Sequence, residues 1–197
     1  MKKLESTWYN MVIVLTVICI VAGAALGFTN SKTETAIAQI KERQLTDGIK
    51  EVLGGGELTV EETDTIEATG AVVYRTDRGT AVQATDPKGF GGALTVLVGF
   101  DAEGHILGYR VMDSSETPGL GQKAQQWFQR DGKGNIIGKK AGSLSVRKDG
   151  GDVDAITAST ITSRAFLRCV NNAYAAMSGS TDVQSGATRQ IGGQSNE

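Results

Sequence analysis

Residues 11–28, MVIVLTVICIVAGAALGF, run for eighteen positions without a charge. No other stretch restricts the fold as strongly. Thr16 is the only polar side chain in the run. At about 1.5 Å per helical residue the run nearly crosses a hydrocarbon core roughly 30 Å thick. Trp8 and Tyr9 precede it, where interfacial aromatic anchors sit. Lys2 and Lys3 lie before the run, whereas Lys32 and Glu34 balance each other between it and Ile37. The positive-inside rule then predicts a cytoplasmic N-terminus and an outward-facing remainder. Two other readings compete with an anchor. "AGA" at 22–24 offers a signal-cleavage site, but the run is longer than most signal cores. A lipid anchor on Cys19 needs a small residue before the cysteine, and Ile18 is not small. With Cys19 in the membrane, Cys169 is alone outside and reads as a buried thiol on an apolar helix face.

The rest of the chain excludes several classes. Its 197 residues predict one domain plus extras, and 40% hydrophobic content can fill a core. The net charge is −2 and no basic run exceeds two residues, so nucleic acid is not an expected partner. No set of Cys or His has metal-ligand spacing. The single histidine, His105, falls in "DAEGHILG", a turn between strands, which argues against histidine-based catalysis.

Hydrophobic periodicity organises the remainder of the chain. Ile37, Ile40, Leu45, Ile49, Val52 and Leu53 predict an amphipathic helix over 35–53, stopped by "GGG" at 54–56. Strands are expected at 69–76, 80–85, 93–100 and 105–112, the last two joined by the hairpin signal "DAEG". A short helix is expected at 122–130 and a strand at "SLSVR". A long helix is expected over 161–178, with Phe166, Leu167, Val170, Tyr174 and Met177 on one face. Trp127 and Phe128 read as core. Strands and helices without βαβ alternation predict an α+β fold. The expected segments are a cytoplasmic 1–10, a transmembrane helix 11–28, a connecting amphipathic helix 29–56, a folded domain 57–178 and a disordered tail 179–197.

Five hydroxyls crowd the entrance to that last helix: Thr157, Ser159, Thr160, Thr162 and Ser163. One would serve as an N-cap. Free amides and the positive end of the helix dipole also favour an anion such as phosphate. Both readings stand on spacing alone.

At these residues the sequence resembles a known family. "VDAITASTITS" is similar to the flavinylation motif of the flavin-binding domain found in the G subunit of the Rnf electron-transport complex and in the C subunit of the sodium-pumping NADH:quinone reductase. "KGFGGALTVLVGFDAEGHILGYRV" (88–111) resembles its glycine-rich turn and hairpin, and "SETPGLGQK" (115–123) its Glu-Thr-Pro-Gly-Leu-Gly loop. The resemblance implies one FMN-binding domain with an antiparallel sheet and packed helices. It implies FMN joined through its phosphate to Thr160, with Thr157, Ser159 and Ile161 beside the attachment. It also implies that Glu116, Thr117, Gly119, Leu120 and Gly121 line the flavin, while Lys123 offsets its charge.

Two departures stand out. Ala158 occupies the motif's usual glycine, so the turn either has another shape or never required glycine. Ser114 and Ser115 stand where a histidine is common. A second string, "DVQSGAT" at 182–188, fits the motif better, but no amphipathic helix follows Thr188. The implied role is a single-pass flavoprotein of a bacterial inner membrane, its domain on the outer (periplasmic) side. It would carry electrons inside an ion-translocating ferredoxin:NAD oxidoreductase, with no stand-alone catalysis. The implied partners are other membrane subunits, a flavin transferase and the lipid bilayer. The quinone-reductase flavoprotein, a stand-alone extracellular flavoprotein reductase and a tethered domain without redox function remain alternatives.

Overall fold

The computed structural model describes residues 8–66 and 69–179. The tail beyond 179, with Thr188, lies outside them, as do Lys2 and Lys3. Helix α1 runs unbroken from Trp8 to Val52. The chain divides into two compact units, one ending at Gln44 and the other beginning at Leu45.

In the first unit, α1 contains one window long and apolar enough to cross a membrane, with mean hydropathy 2.7. Thr16 and Thr29 bond within the helix. Thr16 donates to the Val12 carbonyl at 2.8 Å and Thr29 to that of Ala25 at 2.9 Å. Such back-bonding lets a hydroxyl sit in apolar surroundings without an orphaned donor. Trp8 and Tyr9 lie side by side, ring centres 3.7 Å apart.

The second unit is built on one antiparallel sheet of five strands in sequence order: β1 (Val60–Ile66), β2 (Ala71–Thr76), β3 (Gly79–Asp86), β4 (Leu94–Phe100) and β5 (Ile106–Ser114). Two helices follow, a one-turn α2 (Ala124–Trp127) and the long α3 (Thr160–Ser178). The α+β expectation therefore holds. Alternation along β4 explains the layering. Leu94, Val96, Val98 and Phe100 join the main core beneath α3, and Leu97 joins a second cluster on the other face. That second cluster receives Ile49, Val52 and Leu53 from the end of α1 and the turn after it.

A glycine pair makes this approach close. Gly99 and Gly108 face each other across β4 and β5. A Cβ on Gly99 would lie 2.8 Å from the Val52 carbonyl carbon, and one on Gly108 would lie 2.9 Å from its oxygen. Gly54 and Gly55, both at positive φ, then turn the chain out of the helix.

Helix α3 buries Phe166, Leu167, Val170 and Ala173 at i, i+3 and i+4 spacing, and ends at Gly179 in the left-handed conformation. Phe166 stacks on Phe128 at 4.3 Å and meets Tyr109 edge-on at 4.8 Å. Each such large side chain, fully buried, contributes about 1.5–3 kcal/mol. Trp127 is held by its indole N–H on the Asp154 carbonyl at 2.8 Å. Trp127 and Phe128 belong to the core, as their spacing implied. The free edge of β5 is covered by side chains. Gln125 Oε1 accepts from the Val111 N–H at 2.7 Å, and Gln129 Nε2 donates to the Tyr109 carbonyl at 3.2 Å.

Two elements differ from the expected pattern. Strand β1 gives no sequence signal because VEETDTI is exposed at almost every position and has no apolar alternation. "SLSVR" is not a strand. Val146 makes one isolated bridge to Val153, and Arg147–Asp149 is a 3-10 turn that closes at Gly150 (φ 86). The chain reverses too soon for a ladder to form. The helix expected at 122–130 is shorter, a 3-10 turn at Gly121–Lys123 leading into α2.

Candidate functional site

Three loops meet at the start of α3. The β3–β4 loop brings Phe90, the segment after β5 brings Glu116 to Gly121, and the turn before α3 brings Ala158 to Ile161. Glu116 ties all three together and is buried at 3% exposure. Its Oε1 accepts from the Phe90 N–H at 2.8 Å, and its Oε2 accepts from the Thr162 hydroxyl at 2.9 Å. Glycines leave room for it. A Cβ on Gly121 would lie 2.6 Å from Glu116 Oε2, and one on Gly89 would lie 2.7 Å from Oε1.

The hydroxyls divide the labour. Ser163 is fully buried and ties the turn to the helix, accepting from the Ile156 N–H at 2.9 Å and donating to the Ser159 carbonyl at 2.9 Å. Thr162 is also fully buried and bonds Glu116. Ser159 stands at the N-cap but makes no side-chain cap; its hydroxyl contacts Thr162 Oγ1 at 3.0 Å. Thr160 opens the helix and is half-buried, and Thr157 is exposed. Among the described residues, no side chain accepts from the amides of Thr160, Ile161 or Thr162. The first intrahelical bond is Ser163 N–H to the Ser159 carbonyl at 3.0 Å.

Ala158 is the one described non-glycine residue at positive φ, at 61°. The turn therefore takes the left-handed shape that glycine adopts freely, and alanine bears the strain.

A cavity of about 340 Å³ opens at this junction. Thr160, Ser159 and Ala158 form one side, and Phe90, Thr117, Leu120 and Ile161 the rest. Phe90, Leu120 and Ile161 are 67%, 39% and 49% exposed, an unusual concentration of bare apolar surface for a folded domain. A flat aromatic ring system fits such a wall. A phosphate fits uncapped amides at a helix start. The residues present thus suit a flavin nucleotide.

Residues 89–175 match the FMN-binding domain family. The matched segment makes up less than half of the chain. It includes every residue that lines the cavity. The chain is also similar to the G subunit of the ion-translocating oxidoreductase complex of Yersinia pestis, 41% identical over 97 residues. The proteins of that name from Salmonella typhi and Escherichia coli K12 are each 42% identical over 96 residues. The alignments cover 47% of this chain and 46–47% of those proteins. The chain thus spans about half the length of the curated relatives it matches.

The structure gathers Thr117, Leu120, Ser159, Thr160 and Ile161 around the cavity. Glu116 and Gly121 lie behind its wall, buried. Thr157, Gly119 and Lys123 are exposed and do not line it. Two lining residues carry little signal in the sequence. Phe90 is hidden among the glycines of "KGFGG", and Ala158 stands out only as a missing glycine. His105 does not line the cavity, and its Nδ1 lies 3.0 Å from Asp101 Oδ2. Cys169 is buried in α3 and donates to the Leu94 carbonyl at 3.3 Å. Burial pushes its thiol up to about 12.

Proposed function

We propose that this chain is the flavoprotein subunit of an ion-translocating ferredoxin:NAD oxidoreductase of the Rnf type, with FMN esterified through its phosphate to Thr160. The placement of Thr160 carries the reading. It opens α3 at the rim of a cavity with apolar walls, beside backbone amides that no described side chain caps. FMN bound there supplies one- and two-electron transfer.

The chain's own residues hold and orient. The Thr160 hydroxyl is the attachment point. The amides of Thr160, Ile161 and Thr162 receive the phosphate oxygens, and the helix dipole offsets their charge. Phe90, Leu120 and Ile161 exclude water from the ring. Esterification keeps the nucleotide from leaving in a compartment that holds no free supply.

Residues 11–28 would anchor the chain in a bacterial inner membrane. With Lys2 and Lys3 on the cytoplasmic side, the FMN-binding domain lies outside. The anchor contains no charged residue, so ion conduction falls to partner subunits. A flavin transferase installs the nucleotide.

The test is a peptide mass map of the full chain co-produced with a flavin transferase. The peptide containing Thr160 gains the mass of FMN less water, and Thr160→Ala loses that gain. Thr188→Ala keeps it. An unmodified wild type, or a Thr160→Ala chain labelled in full on this peptide, would refute the assignment and leave a tethered domain without covalent flavin.

A further inference from the structure

Ser159 occupies the N-cap of a nineteen-residue helix, has an excellent side chain for capping it, and does not cap it. A capping serine turns its oxygen onto the second or third amide of the helix from an extended backbone. Ser159 instead has φ −138° and ψ 47°, and its hydroxyl lies 3.0 Å from Thr162 Oγ1. Thr162 has one proton and gives it to Glu116 Oε2 at 2.9 Å. The Ser159–Thr162 bond is therefore donated by Ser159. Order runs from Glu116 through Thr162 to Ser159, and the last hydroxyl is drawn sideways.

The far end of this chain is firmly placed. Glu116 is also fixed by the Phe90 N–H. On Gly121 a Cβ would come within 2.6 Å of Glu116 Oε2 and 3.0 Å of Thr162 Oγ1, so the relay fits only because that position has no side chain.

We propose that Glu116 is a positioning residue that acts through Thr162. It holds the Ser159 hydroxyl off the start of α3 and so reserves the amides of Thr160, Ile161 and Thr162 for the flavin phosphate. The proposal rests on Thr160 being the attachment site. It gives the surplus hydroxyls a purpose, since one of them, Thr162, keeps another, Ser159, from closing the helix.

Removing the relay frees Ser159 to cap its own helix and compete with the phosphate. The experiment measures the initial rate at which a flavin transferase moves the FMN group of flavin adenine dinucleotide onto the purified full chain, the threonine oxygen replacing AMP on the phosphorus and the hydroxyl proton leaving, read by mass on the Thr160 peptide. Thr162→Val slows loading about fivefold, the factor by which an ordinary serine cap handicaps a competitor. Thr162→Ser keeps the hydroxyl and loads at the wild-type rate. The double variant Ser159→Ala/Thr162→Val lacks the competing cap and recovers to within about twofold of wild type. A purely structural role for Thr162 predicts no recovery, because the double variant lacks the same hydroxyl. Should Thr162→Val not fold, Thr162→Ala with and without Ser159→Ala makes the same comparison. A Thr162→Val chain that loads at full speed, or a double variant as slow as the single one, overturns this proposal alone. A wild type that takes no adduct overturns the Thr160 assignment and the relay with it.

Discussion

Arg168 holds Asp86 with two hydrogen bonds, Nε to Oδ2 at 2.6 Å and Nη2 to Oδ1 at 3.0 Å. Asp86 ends β3, and its Oδ1 also accepts from the Lys88 N–H at 2.7 Å. The pair therefore fixes α3 to the root of the loop that carries Phe90. The bond to Asp86 raises the guanidinium further above its ordinary value. Arg168→Met leaves a carboxylate with 6% side-chain exposure facing an apolar chain. Fully buried pairs lose about 3–5 kcal/mol on such a change. Arg168 keeps 26% exposure, and water there reduces the expected loss to about 2 kcal/mol. Urea unfolding of the two proteins side by side measures it.

Ala158→Gly should stabilise the fold. At φ 61° an alanine costs roughly 1–2 kcal/mol relative to a relaxed backbone, and part of this returns as unfolded-chain entropy when glycine replaces it. A gain of about 0.5–1 kcal/mol is expected, seen as a higher Tm. A lower Tm would mean that Ala158 does not occupy the left-handed region in solution.

Gly121→Ala should damage both stability and flavin loading. The added methyl would fall 2.6 Å from Glu116 Oε2 and 2.8 Å from its Cβ, both within a buried network. Overpacking of this kind costs about 1–3 kcal/mol. Gly119→Ala separates this effect from loop stiffness, because a Cβ there meets nothing within 4 Å although φ is 76°. Loading of the Gly121→Ala chain, measured as initial rate by mass, should fall further than that of Gly119→Ala.

Cys169 should resist thiol reagents in the folded protein. Burial raises its pKa from 9.0 to about 12, with a smaller contribution from the charge on Asp86. In a Cys19→Ser background, a thiolate-selective dye at pH 8 should label the protein only after denaturant is added. The raised value also sets a pH trend. The folded state keeps the proton that the unfolded chain gives up above 9.0, so this contribution is complete below pH 9 and is lost as pH climbs toward 12. Rapid native labelling at pH 8 would contradict the buried placement.

Much of this architecture can be read from residue patterns, and the reasons for the gaps are local. Strands β2 to β5 are legible because each carries β-branched or aromatic residues between turn signals. Strand β1 is not, since it buries almost nothing. Thr160, Thr117, Leu120 and Ile161 emerge through motif resemblance, and the cavity brings them together. The bond between Glu116 and Thr162 joins residues 46 positions apart, and the pair Asp86–Arg168 spans 82. No periodicity links such partners. The reason for Gly99 and Gly108 is equally invisible in the sequence, because it lies in the Val52 backbone that presses on them.

The glutamines on the outer side of β5 have a consequence for crowding. The Val111 N–H and the Tyr109 carbonyl are already taken by Gln125 and Gln129, so a foreign peptide aligning there finds two fewer partners. Copies brought close together thereby have a poorer template for strand pairing along that stretch. Neighbours must be met through shape and side chains instead.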